Sequence, residues 1–190
     1  MIKGLEMETI VEKRKYTYED YLKTPDDVRY ELIEGELIMI PSLLTRHQRI
    51  SGRLFAIIYA FVTENNLGEV FAAPYDVVLD EHNVFQPDII FISKDNLHII
   101  TEKNIKGSPD FIIEILSQST GYRDAIQKKR LYARFGVKEY WIVAPDDKLV
   151  EVYYLKDKGE YQLLKTYSEN DIIESQIIRG LKIELNRIFA

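Results

Sequence analysis

Two acidic side chains stand inside or at the start of strongly apolar segments. Glu114 lies within Asp110–Leu116, with two apolar residues on each side, and Asp88 directly precedes four apolar residues. Burying a carboxylate without a partner is costly, so each segment must supply something that compensates the charge. A divalent cation is one candidate, and an arginine or lysine partner is the other.

A second Pro-Asp pair ends at Asp110 and competes for the acidic role. On one extended strand, Asp110 and Glu114 lie ~13 Å apart, whereas two oxygens that share a hard cation lie only ~4–5 Å apart. Asp88 meets this requirement if its strand runs beside the Glu114 strand, because neighbouring strands are ~4.8 Å apart. We therefore expect Asp88 and Glu114 to form the acidic pair, and Asp110 to mark the entry of a strand.

The following segment supplies a cation. Asp124, Lys128 and Tyr132 are spaced by four residues, so in a helix they share one face. A lysine near the end of the Glu114 strand can stabilise developing negative charge or position a water. Lys129 is the alternative cation, but only Lys128 keeps the spacing.

The composition narrows the chemistry of the site. The chain has 190 residues, with 46% hydrophobic and 29% charged, which is typical of one globular domain and excludes a wholly disordered chain. The formal charge of -6 counts against a general nucleic-acid coat protein, although residues 123–134 form a local basic segment. Because the chain has no cysteine and three histidines, we expect a hard cation held by carboxylates.

Targeting signals are not visible in the sequence. No apolar run approaches the ~18–20 residues that span a bilayer, and residues 1–14 contain no apolar core of a signal peptide. The sequence predicts a cytoplasmic protein without a membrane partner. It also predicts an N-terminal extension over residues 1–15 and a single domain over residues 16–190.

The periodicity of apolar residues predicts the elements that position these side chains. Helices are expected over His47–Glu64 and Tyr122–Phe135, the second ending at Gly136, and a hairpin is expected around Gly35. Shorter apolar segments predict strands at 69–72, 76–79, 88–92, 110–116, 139–144, 149–155 and 161–167. The strand–helix–strand order from Phe111 to Val143 predicts a right-handed βαβ crossover, and hence an α/β domain with a mixed sheet.

The motifs, taken in order, resemble the Uma2 (Uma-two) family of restriction-endonuclease-like proteins in the PD-(D/E)XK nuclease superfamily. No single segment is specific, but their order and number cover nearly the whole chain from residue 16 to 189. The matching segments are Tyr30–Leu37, His47–Ser51, Gln86–Asp88, Glu114–Thr120, the Asp124/Lys128/Tyr132 run and Gly136–Val143.

This resemblance implies a restriction-endonuclease-like domain, with a central mixed β-sheet flanked by helices, that hydrolyses phosphodiester bonds of DNA. Asp88 and Glu114 would bind Mg²⁺, with Mn²⁺ as a substitute, helped by the backbone carbonyl of Ile115, and the metal would activate a water nucleophile. The usual in-strand lysine is replaced by Leu116, and the resemblance assigns its role to Lys128.

Three further residues are candidates for supporting roles. Glu31 lies where this nuclease superfamily often has an auxiliary acid, and its alternatives are Glu34, Glu36 and Asp76. His47 opens the long helix and either caps it at the surface or faces the site. Tyr132 shares the helical face of Lys128, although an aromatic residue there is more often part of a core.

The main candidates also have a structural explanation. Glu114 can be a structural acid paired with a basic residue of the following helix, and Asp88 can cap a strand after Pro87. The alternative function is therefore a catalytically degenerate homologue that acts as a binding or assembly module, which the acidic charge and Leu116 favour.

The late hairpin carries several aromatic residues. Tyr153, Tyr154 and Tyr161 predict an exposed apolar patch that serves a homodimer, and two sites in a dimer could cut two strands. The alternative is that these rings fill the core.

Overall fold

The computed structural model describes most of the chain. The described residues are 14–25, 27–42, 44–117, 121–156 and 159–190, without the side chains of residues 122–124. Of the expected N-terminal extension, residues 1–13 lie outside the described residues. None of the helices in these ranges is both long and apolar enough to cross a bilayer.

The described residues form helices, and strands that mostly follow one another in groups along the chain. The α-helices are α1 (Tyr18–Tyr21), α2 (Thr45–Glu64), α3 (Gly121–Phe135) and α4 (Asn186–Phe189), and a 3-10 helix covers Lys94–Ile99. The strands are β1 (Tyr30–Ile33), β2 (Glu36–Met39), β3 (Gly68–Ala72), β4 (Val77–Asp80), β5 (Asn83–Phe85), β6 (Ile89–Ser93), β7 (Ile105–Lys106), β8 (Phe111–Ile115), β9 (Glu139–Ala144), β10 (Leu149–Lys156), β11 (Glu160–Ser168), β12 (Ile172–Glu174) and β13 (Lys182–Glu184).

The central sheet has six strands in the order β11-β10-β9-β8-β6-β3. The β8–β9 pair is parallel and the other pairs are antiparallel, and α3 connects the parallel pair. The predicted mixed α/β single domain, with a central mixed sheet flanked by helices, is confirmed.

The central sheet is covered on both faces. Side chains alternate along a strand, so Phe111, Ile113 and Ile115 of β8 pack in one core with α2. Ile112 packs in a second core with Leu131 of α3. Alternation therefore turns the Glu114 side chain toward α3.

A second, five-stranded sheet, which the sequence did not predict, has the order β2-β1-β5-β4-β7. Its β1–β2 hairpin turns through Glu34 and Gly35, which both have positive φ angles (52° and 85°), as a two-residue hairpin turn requires. Phe85 of β5 packs edge-on against Tyr132 of α3, with ring centroids 5.1 Å apart. The hairpin is thereby held beside the α3 face of the central sheet.

The predicted aromatic patch on the late hairpin is not exposed as expected. Tyr153 is buried, and Tyr161 is half-buried and stacks on Tyr140 with ring centroids 5.8 Å apart. The Tyr161 hydroxyl donates a hydrogen bond of 2.7 Å to the Val137 carbonyl. These two rings cover the sheet because they gain stacking and area burial there.

The described basic side chains within residues 123–134 make separate contacts. Lys128 is buried, whereas the Lys129 ammonium lies 4.2 Å from the ring centroid of Tyr153. Arg130 forms an exposed ion pair of 2.7 Å with Glu34. These three side chains therefore make three different kinds of contact.

Candidate active site

The acidic pair occupies facing positions on neighbouring strands. Strands β6 and β8 are antiparallel with Ile89 opposite Ile113, so the next position of this register sets Asp88 opposite Glu114. Asp88 is 8% exposed and Glu114 is 9% exposed. Two carboxylates from distant parts of the sequence are thus brought together at positions with little solvent exposure.

Asp88 and the backbone of Ile115 converge on one histidine. The Ile115 N–H donates a hydrogen bond of 2.7 Å to Asp88 Oδ2. His47 Nε2, from the first turns of α2, lies 3.2 Å from the same oxygen and 3.1 Å from the Ile115 carbonyl oxygen. The histidine therefore faces the site and does not cap the helix at the surface.

Glu114 lies in a compact network with the ammonium group of α3. Lys128 Nζ is 3.1 Å from Glu114 Oε1 and 2.8 Å from Glu31 Oε1. The Tyr132 hydroxyl donates a hydrogen bond of 2.7 Å to Glu114 Oε1. The spacing of four residues places both α3 side chains on the face that meets the sheet, and the β1 strand supplies the second carboxylate.

The buried charges shift one another. Burial raises the pKa of Glu114 to about 7, against the opposing effects of the Lys128 ammonium and the Tyr132 hydroxyl. Burial alone would lower the pKa of Lys128, but the carboxylates of Glu114 and Glu31 outweigh it and raise the pKa. The raised pKa of Lys128 favours its charged form and hence the ion pair, whereas the raised pKa of Glu114 favours its neutral form and opposes the ion pair. We take Lys128 as protonated, because two carboxylates share its single positive charge.

The pKa of His47 is shifted by the same balance of effects as that of Lys128. Burial alone would lower its pKa, but the Asp88 carboxylate and the Ile115 carbonyl raise it above its ordinary value. Its Nδ1 atom is buried and has no hydrogen-bond partner among the described residues. The ring is therefore fixed through Nε2 alone.

The alternative acids have other partners or are exposed. Glu34 pairs with Arg130, and Asp76 Oδ1 accepts a hydrogen bond of 2.8 Å from the Tyr21 hydroxyl. Glu36 is exposed. Among the four acids proposed for the auxiliary position, Glu31 is the one that contacts Lys128, and the side chain of Asp124 lies outside the described residues.

Asp110 is a structural acid at the strand entry. Its carboxylate accepts a hydrogen bond of 2.8 Å from the Ser93 N–H and pairs with Lys138 Nζ at 2.6 Å. These contacts fix the start of β8. The partners of Asp110 are different residues from the partners of Glu114.

The site contains Arg29, which did not stand out in the sequence, and Gln86, which was noted there only as part of the Gln86–Asp88 segment. An open cavity above the acidic pair is lined by Glu31, Asp88, Glu114 and Lys128, and also by Arg29 and Gln86. The Gln86 N–H donates a hydrogen bond of 2.9 Å to Glu31 Oε1. The available signal was strand alternation, which places Arg29 on the same side as Glu31 two residues later.

A metal ion would have a mixed set of oxygen ligands here. Within the described residues, no group of three or more His, Asp or Glu side chains is arranged to hold a metal ion. The available donors are the carboxylates of Asp88 and Glu114 and the carbonyl oxygen of Ile115.

Comparison with known proteins identifies a family and a similar solved structure. A family model, Uma2, described as "Putative restriction endonuclease", matches residues 18–186. A crystal structure of a "putative nuclease belonging to DUF820" from Anabaena variabilis superposes with a TM-score of 0.75 and 21% sequence identity. The superposition covers 91% of this chain and 97% of the other, so the two share a fold. A search of curated proteins returned no match.

Proposed function

We propose that this chain, which belongs to the Uma2 family, is a Mg²⁺-dependent endonuclease that hydrolyses phosphodiester bonds of DNA. The observation that carries the proposal is the pair of buried, facing carboxylates of Asp88 and Glu114 with the Lys128 ammonium 3.1 Å from Glu114. This combination offers ligands for a hard cation beside a fixed positive charge.

The donor set fits a divalent cation. The carboxylates of Glu31 and Glu114 both contact the ammonium of Lys128, and Asp88 lines the same cavity, so the buried cluster has excess negative charge. Burial, and secondly the neighbouring carboxylates of Glu31 and Asp88, raise the pKa of Glu114 because both penalise its charged form. A cation held by Asp88, Glu114 and the Ile115 carbonyl would relieve this penalty, and oxygen ligands favour Mg²⁺ or Mn²⁺.

When bound, the metal would lower the pKa of a water molecule and neutralise charge on the scissile phosphate. Lys128 stays protonated, so it stabilises negative charge and holds a water through its N–H groups rather than accepting a proton. Glu31 and Tyr132 orient this ammonium and the Glu114 carboxylate. His47 holds the Asp88 oxygen beside the Ile115 carbonyl.

The test compares site variants that keep the side-chain size. We expect Asp88→Asn, Glu114→Gln and Lys128→Met each to lower cleavage of plasmid DNA in Mg²⁺ by about a hundredfold or more. Lys129→Met is the matched control, because Lys129 lies on the ring of Tyr153 outside the site. Thermal unfolding checks that each variant is folded. Site variants that cut as well as wild type, or a wild type inactive with both Mg²⁺ and Mn²⁺, would contradict the proposal.

A second candidate is a binding or assembly module without catalysis. It is favoured by the absence of a three-residue His, Asp or Glu metal cluster in the described part of the chain and by a lysine already paired with two carboxylates. Calorimetric titration with Mn²⁺ separates the two candidates. The nuclease predicts binding heat that Glu114→Gln removes, whereas the module predicts none.

A further inference from the structure

The cavity above the acidic pair contains a cation that forms no ion pair with a carboxylate of the described residues. Lys128 forms ion pairs with Glu31 and Glu114. Arg29 lines the same cavity, and no described carboxylate lies within ion-pair distance of it. Its Nε donates a hydrogen bond of 2.8 Å to Gln86 Oε1.

Strand geometry aims Arg29 at the site. Arg29 precedes β1, and its carbonyl accepts a hydrogen bond of 2.9 Å from the Ile40 N–H, so the hairpin pairing extends through it. Arg29 and Glu31 are two residues apart and therefore share one face of the strand, ~6–7 Å apart. The guanidinium thus belongs to the face that carries the site.

Gln86 holds the guanidinium and the acidic cluster in one network. Its side-chain Nε2 donates hydrogen bonds to Asp76 Oδ1 at 2.9 Å and to the Tyr21 hydroxyl at 3.2 Å, which leaves Oε1 for Arg29. Its backbone N–H contacts Glu31. Among the described residues Nε is the one atom of the Arg29 guanidinium that is hydrogen-bonded, so the four N–H bonds of the two terminal nitrogens are left to donate.

We propose that Arg29 is the phosphate-binding residue of this cavity and that Gln86 positions it. The proposal rests on the proposed nuclease function and names the part of the substrate that is held. A guanidinium presents paired donors that match a phosphate oxygen pair, which a lysine cannot reproduce.

The charges in the cavity leave Arg29 available. The carboxylates of Glu31, Asp88 and Glu114 line the cavity together with the cations Arg29 and Lys128. Lys128 is paired with two of these carboxylates, so Arg29 is the cavity cation left to bind a phosphate oxygen.

The experiment measures the salt dependence of cleavage and binding of a fluorescent duplex oligonucleotide. We expect Arg29→Met to raise KM about tenfold and to reduce the slope of log affinity against log salt by about one, as loss of one phosphate contact predicts. Arg29→Lys should keep the slope but recover only part of the affinity. Arg130→Met is the matched control, because Arg130 pairs with Glu34 on the exposed surface, and it should change neither quantity.

Gln86→Leu tests the positioning role. It leaves the charge of Arg29 in place, so we expect a higher KM with an unchanged salt slope and little change in kcat. If Arg29 merely anchors Gln86, Arg29→Met will lower thermal stability while KM and slope stay at wild-type values, which overturns the proposal.

Failure of this inference is distinguishable from failure of the proposed function. A wild type that cleaves while Arg29→Met keeps its KM and salt slope removes only the role of Arg29. A wild type that does not cleave removes the nuclease function, and fluorescence anisotropy with the same duplex then decides. Binding with a slope that drops in Arg29→Met supports the phosphate site, whereas no binding or an unchanged slope overturns it.

Discussion

Lys128, on α3, forms ion pairs with residues of two different strands through its ammonium nitrogen. Its Nζ contacts Glu31 from β1 and Glu114 from β8, and the side chain is buried. Removing one member of such a network leaves the others as uncompensated buried charges. The contacts therefore serve stability and the proposed chemistry together, and a variant has to be tested for both.

Glu139 shows that a buried acid in a strand is not by itself a site. It is fully buried, and its carboxylate accepts hydrogen bonds from the Trp141 indole, the Ser175 hydroxyl and two backbone N–H groups. These donors connect β9 to the segment around β12. Glu114 differs because it faces another carboxylate and an open cavity, which is the environment that a metal ligand needs.

Tyr132→Phe tests the hydroxyl that contacts Glu114. The ring is buried and stays packed as phenylalanine, but Glu114 Oε1 loses a hydrogen bond of 2.7 Å. At a pH above the Glu114 pKa of about 7, we expect the free energy of unfolding to fall by about 1.5–3 kcal/mol, as for loss of a hydrogen bond to a charged group. Chemical denaturation measures this change. Tyr161→Phe, which loses a bond to a backbone carbonyl, should cost less, and an equal loss would contradict a charged acceptor at Glu114.

At the scale of elements, the β1–β2 hairpin is the part that completes the site. It carries Glu31 to the ammonium of α3 and places Arg29 on the same face. The turn therefore affects the site without touching it, because its geometry sets the register in which Glu31 faces Ile38.

Gly35→Ala tests the hairpin turn. Gly35 has φ 85°, and an added Cβ would lie 2.7 Å from Lys15 Cβ. Gly136, at the end of α3, has φ 90° and open space around it. We expect about 1–2 kcal/mol of destabilisation at Gly136 from the backbone alone, and a larger loss at Gly35. Thermal unfolding of both alanine variants measures the difference, and equal losses would show that the contact with Lys15 is not restrictive.

At the scale of the whole molecule, acid stability depends on Asp110. Burial alone would raise its pKa, but the Lys138 ammonium and the Ser93 N–H outweigh it and hold the pKa below the ordinary value of 3.8. The unfolded state then binds more protons, so this stabilisation is present above the ordinary pKa and is lost as the pH falls toward the folded value. We expect Asp110→Asn to be less stable at neutral pH and to lose less stability on acidification. Denaturation midpoints at several pH values check this. An equal loss of stability on acidification in the wild type and in Asp110→Asn would contradict it.

A homodimer stays a prediction for the whole molecule. The tyrosines that suggested it are partly covered by the sheet, whereas Leu163 and Leu164 of the outer strand β11 are exposed. We expect light scattering after size exclusion to give about twice the chain mass of 22.3 kDa. The mass of a single chain at all concentrations tested would exclude the dimer.

Local patterns in the sequence were enough for the main elements. The spacing of apolar residues predicted α2 and α3 to within two residues of their observed ends, because helix periodicity depends on neighbours a turn away. Strand β5 was missed, since its three residues follow a polar turn. Strands as short as β7 form through partners distant in sequence and carry too little local pattern to predict.

The sequence by itself determined which residue types could do chemistry: two carboxylates next to apolar segments, and a lysine spaced along a helix. Only the tertiary structure decided that Glu31, and not one of the three alternative acids, contacts Lys128. It also decided that His47 faces the site and that Arg29 lines the cavity. The physical reason is distance. Hydrogen bonds and ion pairs act over about 3 Å, and such separations between β1, α2 and α3 follow from how the sheets pack and not from spacing along the chain.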